Sequence, residues 1–237
     1  MSFSYHFFDR TGGVSSGLFA QLNLSFGVGD TVANVLVNRD LVKQHFGAAH
    51  LVSADQVHGC RVCAVDDELT ADLEVARCDA LLTCIPGRPL LIQQADCQAV
   101  LLHDQVRSAV AAIHCGWRGS VADIIGKTIN EMKDRYRTVP ADLQACIGPS
   151  LGPCCAEFVN YRDELPESFI RYKSAENHFD FWRISANQLI RAGVRAEAIS
   201  LPSVCTSCSD DYFSYRRAVR EADGITGRHG SAICLYA

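Results

Sequence analysis

The hydrophobic pattern divides the chain into short apolar runs and a few longer stretches of helical period. Residues 3–9 alternate loosely and read as a strand, followed by a Gly12-Gly13 turn. Asp30 or Thr31 is placed to cap a helix running to Phe46 and closed by Gly47, with Val32, Val35, Leu36, Val42 and Phe46 as its inner stripe. Strand-like runs follow at 51–57 and 61–65, then an acidic, irregular stretch at 66–76. Further strands are predicted at 79–83 and 90–93, separated by a Pro86-Gly87 turn, and at 99–103 and 108–113. Val121, Ile124, Ile125, Ile129, Met132 and Tyr136 predict a helix with Ser120 as its N-cap. A strand at 143–147, a helix at 180–192 (Phe181, Ile184, Leu189 and Ile190 inward) and a strand at 231–236 complete the pattern. Strands and helices interleave without linker or repeat, so the expectation is a single layered α/β domain with mixed sheets spanning 1–237.

Composition narrows the class of protein. At 237 residues, 48% hydrophobic and 21% charged, the chain can bury a substantial core. A net charge of −5 argues against a nucleic-acid coat but allows a local cationic pocket. Asp9 and Arg10 interrupt the N-terminal stretch before an apolar signal region can form, and no apolar run approaches a membrane span. The expectation is a cytoplasmic protein, a monomer without nucleic-acid or membrane partners. Its twelve cysteines are then read as reduced small hydrophobes. Two CxxC pairs, Cys60/Cys63 and Cys205/Cys208, raise the idea of a shared four-thiolate site, but Cys60 and Cys63 fall in a strand and would face opposite sides.

The residues with chemical uses cluster around the two central strands. Asp96-Cys97 precedes the first, and His114 followed by Gly116-Trp117-Arg118-Gly119 closes the second. Gln56-Val57-His58-Gly59 offers another imidazole beside a strand. His58, Cys97 and His114 make a three-ligand zinc set of the kind that leaves a fourth position open. Their separation along the chain satisfies no local metal-binding pattern, and each alone has an ordinary buried role. Asp96 reads as an orienting acceptor, a base or a solvated turn residue.

QVHG, ADC and HCGWRG, with GGVS, NLS, VGD and VLVNR upstream and IGPS at 147–150, resemble the laccase-domain family, the multicopper polyphenol oxidases also described as zinc-dependent purine nucleoside phosphorylases. The resemblance extends over nearly the whole chain and implies a layered fold similar to the toxin cysteine-hydrolase fold. It implies a purine nucleoside and phosphate as substrates, adenosine, inosine and methylthioadenosine among them, with adenosine deamination as an accompanying activity. It also suggests that Arg39 points into the site. Arg39, Arg118 and Arg216 would then supply a phosphate-binding cluster, and Trp117 or Phe213 a stacking surface for the base.

Other chemistries compete with this reading. Deaminases of the H-x-E type are not matched, because no histidine has Glu two residues on. A copper-dependent phenol oxidase needs histidine-rich clusters; no H-x-H pair occurs, and the axial Met of a blue-copper site has no clear candidate. Cys97 as the nucleophile of an amidase with a histidine base, editing peptidoglycan precursors as the resemblance suggests, is the hydrolytic alternative.

Overall fold

A computed structural model describes residues 2–237. Its central strands, β6 (Leu90–Gln94), β7 (Gln98–Asp104), β8 (Ala109–Cys115) and β13 (His229–Tyr236), are buried along almost their full length. Each has a continuous apolar stretch because both faces are covered, with its buried polar residues, such as Gln94, Gln98, Asp104, His114 and His229, towards the strand ends. On β8, Val110 and Ala112 enter one core while Ala111, Ile113 and Cys115 enter another. On β13, Ile233 and Leu235 share the first of these, and Ala232 and Cys234 enter a third.

These strands belong to two mixed sheets packed face to face. The first has the order β1 (Ser2–Phe7), β13, β6, β2 (Val52–Ala54), β4 (Leu73–Val75). The second runs β12 (Ile199–Ser200), β9 (Leu143–Ile147), β7, β8, β5 (Ala80–Thr83), β3 (Val62–Ala64). Helix α1 (Val32–Phe46) covers the outer face of the first sheet through Val42 and Phe46. Helices α3 (Ile124–Tyr136) and α5 (Phe181–Arg191) cover the outer face of the second. The result is four layers, helix, sheet, sheet, helix, in agreement with the mixed α/β expectation. Among the described residues no helix is long and apolar enough to cross a membrane.

Several local expectations are corrected. The inner stripe of α1 is Val35, Asn38, Arg39, Val42 and Phe46, whereas Val32 and Leu36 are 61% and 49% exposed. Polar members take the stripe because the loop beneath it offers backbone partners. Asn38 donates to Ser15 Oγ and to the carbonyls of Gln21 and Asn23, and accepts from Val14 N–H. Ser120 is not an N-cap. A short helix α2 (Trp117–Val121) begins one turn earlier, inside the GWRG motif, and Asp123 at φ 54° breaks the chain before α3. The acidic stretch at 66–76 contains edge strand β4, and Ile190 is 45% exposed. Cys60 and Cys63 do pack into opposite cores.

Asn38 is fully buried, so removing its amide strands several backbone groups. Asn38→Leu is expected to destabilise the protein by about 2–4 kcal/mol, while Val32→Ser and Leu36→Ser stay within about 0.5 kcal/mol of the native protein. Urea unfolding at neutral pH checks both.

Candidate metal centre and active site

The three expected ligands come together at one end of the two sheets. Cys97 sits in the turn where the chain leaves β6 in the first sheet and enters β7 in the second. Antiparallel pairing of Ala99 with His114 sets His114 beside it near the end of β8. His58 arrives from the loop between β2 and β3. The possible ligand atoms of His58, Cys97 and His114 all lie within 4.8 Å of one another. His114 is buried and His58 exposed, so the set is open on one side.

A buried carboxylate organises both imidazoles. Asp79, at the head of β5 and wholly buried, accepts a 2.8 Å hydrogen bond from His114 Nδ1. Because Nδ1 holds that proton, Nε2 is free to serve as a ligand. The other oxygen of Asp79 accepts from Gly59 N–H at 2.9 Å and from Val57 N–H at 3.4 Å, which anchors the His58 loop from beneath. Gln56 anchors the same loop to β6, donating to the Gln93 carbonyl at 2.7 Å and accepting from its N–H at 2.8 Å. His58 itself is held at φ 57°. Gly116 supplies the remaining space: a Cβ there would meet His58 Cδ2 at 3.1 Å, Cys97 Sγ at 3.3 Å and His114 Cε1 at 3.6 Å.

This arrangement favours a thiolate. Burial alone would raise the Cys97 thiol, but the charge of His114 and hydrogen bonds from both imidazoles pull it down to about 6. His114 is pushed up to about 9, against its burial, by Cys97 and by Asp79. Two imidazoles, one thiolate, a carboxylate behind one imidazole and a side-chain-free cradle fit a divalent metal with an open position.

The trio lines a cavity of about 890 Å³. Trp117 and Arg118 enter it from α2, with the Arg118 guanidinium 4.3 Å from the centre of the Trp117 ring. Phe158 meets that ring edge-on at 6.2 Å. Arg216 enters from α6 (Tyr215–Glu221) and donates to the Glu157 carbonyl at 2.9 Å. Asp96 has both oxygens engaged, by Thr206 Oγ1 at 2.7 Å and by Arg216 N–H at 2.6 Å, so its contacts tie the Cys97 turn to the start of α6.

Two expected residues lie elsewhere. Arg39 is buried behind the cavity wall, donating to the Leu24 carbonyl, Ser53 Oγ and, at 2.7 Å, Glu74 Oε2, with Phe26 against its face at 4.1 Å. It touches two residues that line the cavity, Phe26 and Glu74, without lining it itself. Phe213 is fully buried, with Arg10 over its ring, and offers no stacking surface. Arg228, by contrast, lines the cavity, with one nitrogen donating to the Thr226 and Gly227 carbonyls. Sequence reasoning missed Arg228, Asp79 and Phe158. Arg228 reads as an ordinary turn residue, Asp79 as the polar start of a strand, and Phe158 as one more core aromatic.

Comparisons with known proteins identify the family and the fold. The family model described as multi-copper polyphenol oxidoreductase laccase matches residues 4–236. A purine nucleoside phosphorylase of Streptomyces coelicolor is 36% identical over 241 residues, covering 98% of this chain and 95% of that protein. A purine nucleoside phosphorylase of Bacteroides thetaiotaomicron is 32% identical over 226 residues, covering 88% and 84%. The crystal structure of the hypothetical protein YfiH from Bacillus licheniformis superposes with a TM-score of 0.88 at 30% identity, covering 98% of this chain and 92% of that one.

Asp79→Asn removes the charge behind His114, and the expected loss in zinc affinity is roughly 10–100-fold, measured by competition with a chelator. With less support for the His114 cation, the Cys97 thiolate loses its partner and its pKa rises. In metal-stripped protein the iodoacetamide reaction of Cys97 should have its pH midpoint near 6 in the native chain and higher in the variant.

Proposed function

The chain belongs to the multi-copper polyphenol oxidoreductase laccase family, and we propose that it acts as a zinc-dependent purine nucleoside phosphorylase. The observation that carries this reading is the convergence of Arg118, Arg216 and Arg228 on the cavity that also opens onto His58, Cys97 and His114. The cavity is also lined by Asp55, Glu74, Asp96, Glu157 and Glu164, but Glu74 is paired with Arg39 and Asp96 accepts from Thr206 and a backbone N–H, so what suits phosphate is the three guanidinium forks rather than a cationic lining. Arg118 has no hydrogen-bond or ion-pair partner among the described residues, which leaves its fork available. The names of the similar proteins from S. coelicolor and B. thetaiotaomicron agree with this chemistry.

In the proposed reaction one phosphate oxygen bonds to the anomeric carbon as the bond from that carbon to the purine nitrogen breaks. The purine leaves with the electron pair and takes up a proton, and ribose 1-phosphate is the other product. The arginines hold the phosphate, and Trp117 and Phe158 enclose the base on an apolar wall that restricts water. Asp96 is a positioning residue, since it ties Cys97 to the segment bearing Arg216. His58, Cys97 and His114 would hold the zinc, which when bound supplies a Lewis acid for a substrate oxygen or nitrogen. Adenosine, inosine and methylthioadenosine are the proposed nucleosides, with adenosine deamination as a side activity. Copper is the less suited metal. Among the described residues only two groups could hold an ion, one with two imidazoles and the other with four thiols, so neither resembles a histidine-rich copper cluster.

One observation favours a hydrolytic second reading. Cys97, His114 and Asp79 follow the order nucleophile, base and orienting carboxylate. Bound zinc separates the two readings, because a metal-bound thiolate is no longer the nucleophile. Zinc should protect Cys97 from alkylation while activity persists. Loss of activity on adding zinc, with full activity in metal-stripped protein, would establish the cysteine hydrolase instead.

Phosphate dependence tests the main reading. Arg118→Ala and Arg228→Ala should each lose about ten- to a hundred-fold in rate at limiting phosphate, from about 1.5–3 kcal/mol of charge-assisted hydrogen bonding. Lysine at either position should restore little. Base release equally fast without phosphate, with no ribose 1-phosphate formed, would remove the phosphorolytic reading.

A further inference from the structure

Away from the cavity's metal set, the fold gathers four other cysteines. Cys154 and Cys155 lie in the loop after β9, and Cys205 and Cys208 in the segment leading to α6. Their sulfurs all lie within 4.8 Å of one another, with Cys208 Sγ 3.6 Å from Cys154 Sγ and 3.5 Å from Cys155 Sγ. The CxxC pair at 205/208 therefore meets a vicinal pair, not Cys60/Cys63. We propose that Cys154, Cys155, Cys205 and Cys208 bind a second, structural zinc ion.

The geometry matches the ion. Sulfurs at about 2.3 Å from a tetrahedral zinc lie about 3.8 Å from each other, and a four-thiolate set is closed, with no position for substrate. The surrounding backbone already favours a thiolate at Cys205 and fixes the turn that carries Cys208. Gly152 N–H donates to Cys205 Sγ at 3.3 Å, and a Cβ on Gly152 would come within 3.0 Å of Cys205 Cβ, so this close approach requires glycine. The turn from Cys205 is closed by Cys208 N–H and Ser209 N–H, both donating to the Cys205 carbonyl. The Arg217 guanidinium donates to the Thr206 and Ser209 carbonyls at 3.0 Å each, which fixes the turn and sets a positive charge beside it. Cys154 and Cys208 are exposed, an unusual place for thiols used as small hydrophobes. Ligation gives them a role that packing does not.

The site would clip together segments 53 residues apart where both approach the substrate cavity. Cys155 leads directly into Ala156, Glu157 and Phe158 on the cavity wall. Thr206, between the other two cysteines, holds Asp96 beside Cys97. The second zinc would thus brace the segments that carry this part of the cavity wall without taking part in chemistry.

Elemental analysis of full-length protein purified without chelator tests the site. The wild type should carry two zinc ions per chain, the Cys154→Ser/Cys208→Ser double variant one, and Cys97→Ala one. Because Cys97→Ala reports the first site separately, failure of either assignment is distinguishable from failure of the other. Peptide mapping of the wild type gives a readout that does not depend on a variant folding. Zinc should shield all four thiols from iodoacetamide, and chelation should expose them together with a fall in melting temperature. Unchanged zinc in the double variant, equal alkylation with and without zinc, or a disulfide from Cys208 to Cys154 or Cys155 in zinc-replete protein would overturn the proposal.

Discussion

The buried carboxylate of Asp79 is the constraint around which the site is built. A fully desolvated charge costs several kcal/mol unless it is matched, and here two elements supply the match. His114 donates from β8, and Gly59 and Val57 donate from the loop after β2. These bonds hold Asp79 ionised despite its burial. The same three donors fix the orientation of one imidazole and the path of the chain bearing the other, so one charge positions two candidate ligands.

That arrangement relies on the rigidity of the sheets. Asp79 immediately precedes β5, and His114 lies on its neighbour β8, in a register set by the cores on either side. A slip of one residue would turn His114 out of the site and Ile113 into it. Cys97 lies where the chain crosses between sheets, a turn with Asp96 at φ 84°, and its place is secured from outside by Thr206 and Arg216. The candidate metal set therefore rests at strand ends and turns, while the cavity-lining arginines come from helix starts and a turn. Such a division would suit a fixed metal with a more adaptable substrate wall.

Arg39 and Arg228 illustrate how the position of a charge depends on tertiary packing. One lies in the middle of a helix and the other in a turn before a strand. On α1, Arg39 falls on the inward stripe and meets Glu74 and buried carbonyl groups, so its charge is neutralised behind the wall. Arg228 precedes the long β13, whose pairing with β6 carries it to the cavity beside Gln94. Chain distance gives no hint of this, because β6 and β13 are far apart in sequence and adjacent only in the sheet.

Apolar periodicity was sufficient to locate most strands and helices, because burial on both faces leaves an unbroken hydrophobic run wherever a strand crosses the core. Residue type put forward His58, Cys97 and His114 as a possible set, and the motifs around them, QVHG, ADC and HCGWRG, gave it weight, since each residue alone has an ordinary buried role. Periodicity could not assign Asn38 and Arg39 to the inside of α1, because their partners are backbone groups supplied by another segment. Nor could it join Cys205/Cys208 to Cys154/Cys155 or bring Asp79 beneath two histidines. Those relations are distances across sheet neighbours and between loops, which local spacing does not encode and only the packing of the four layers determines.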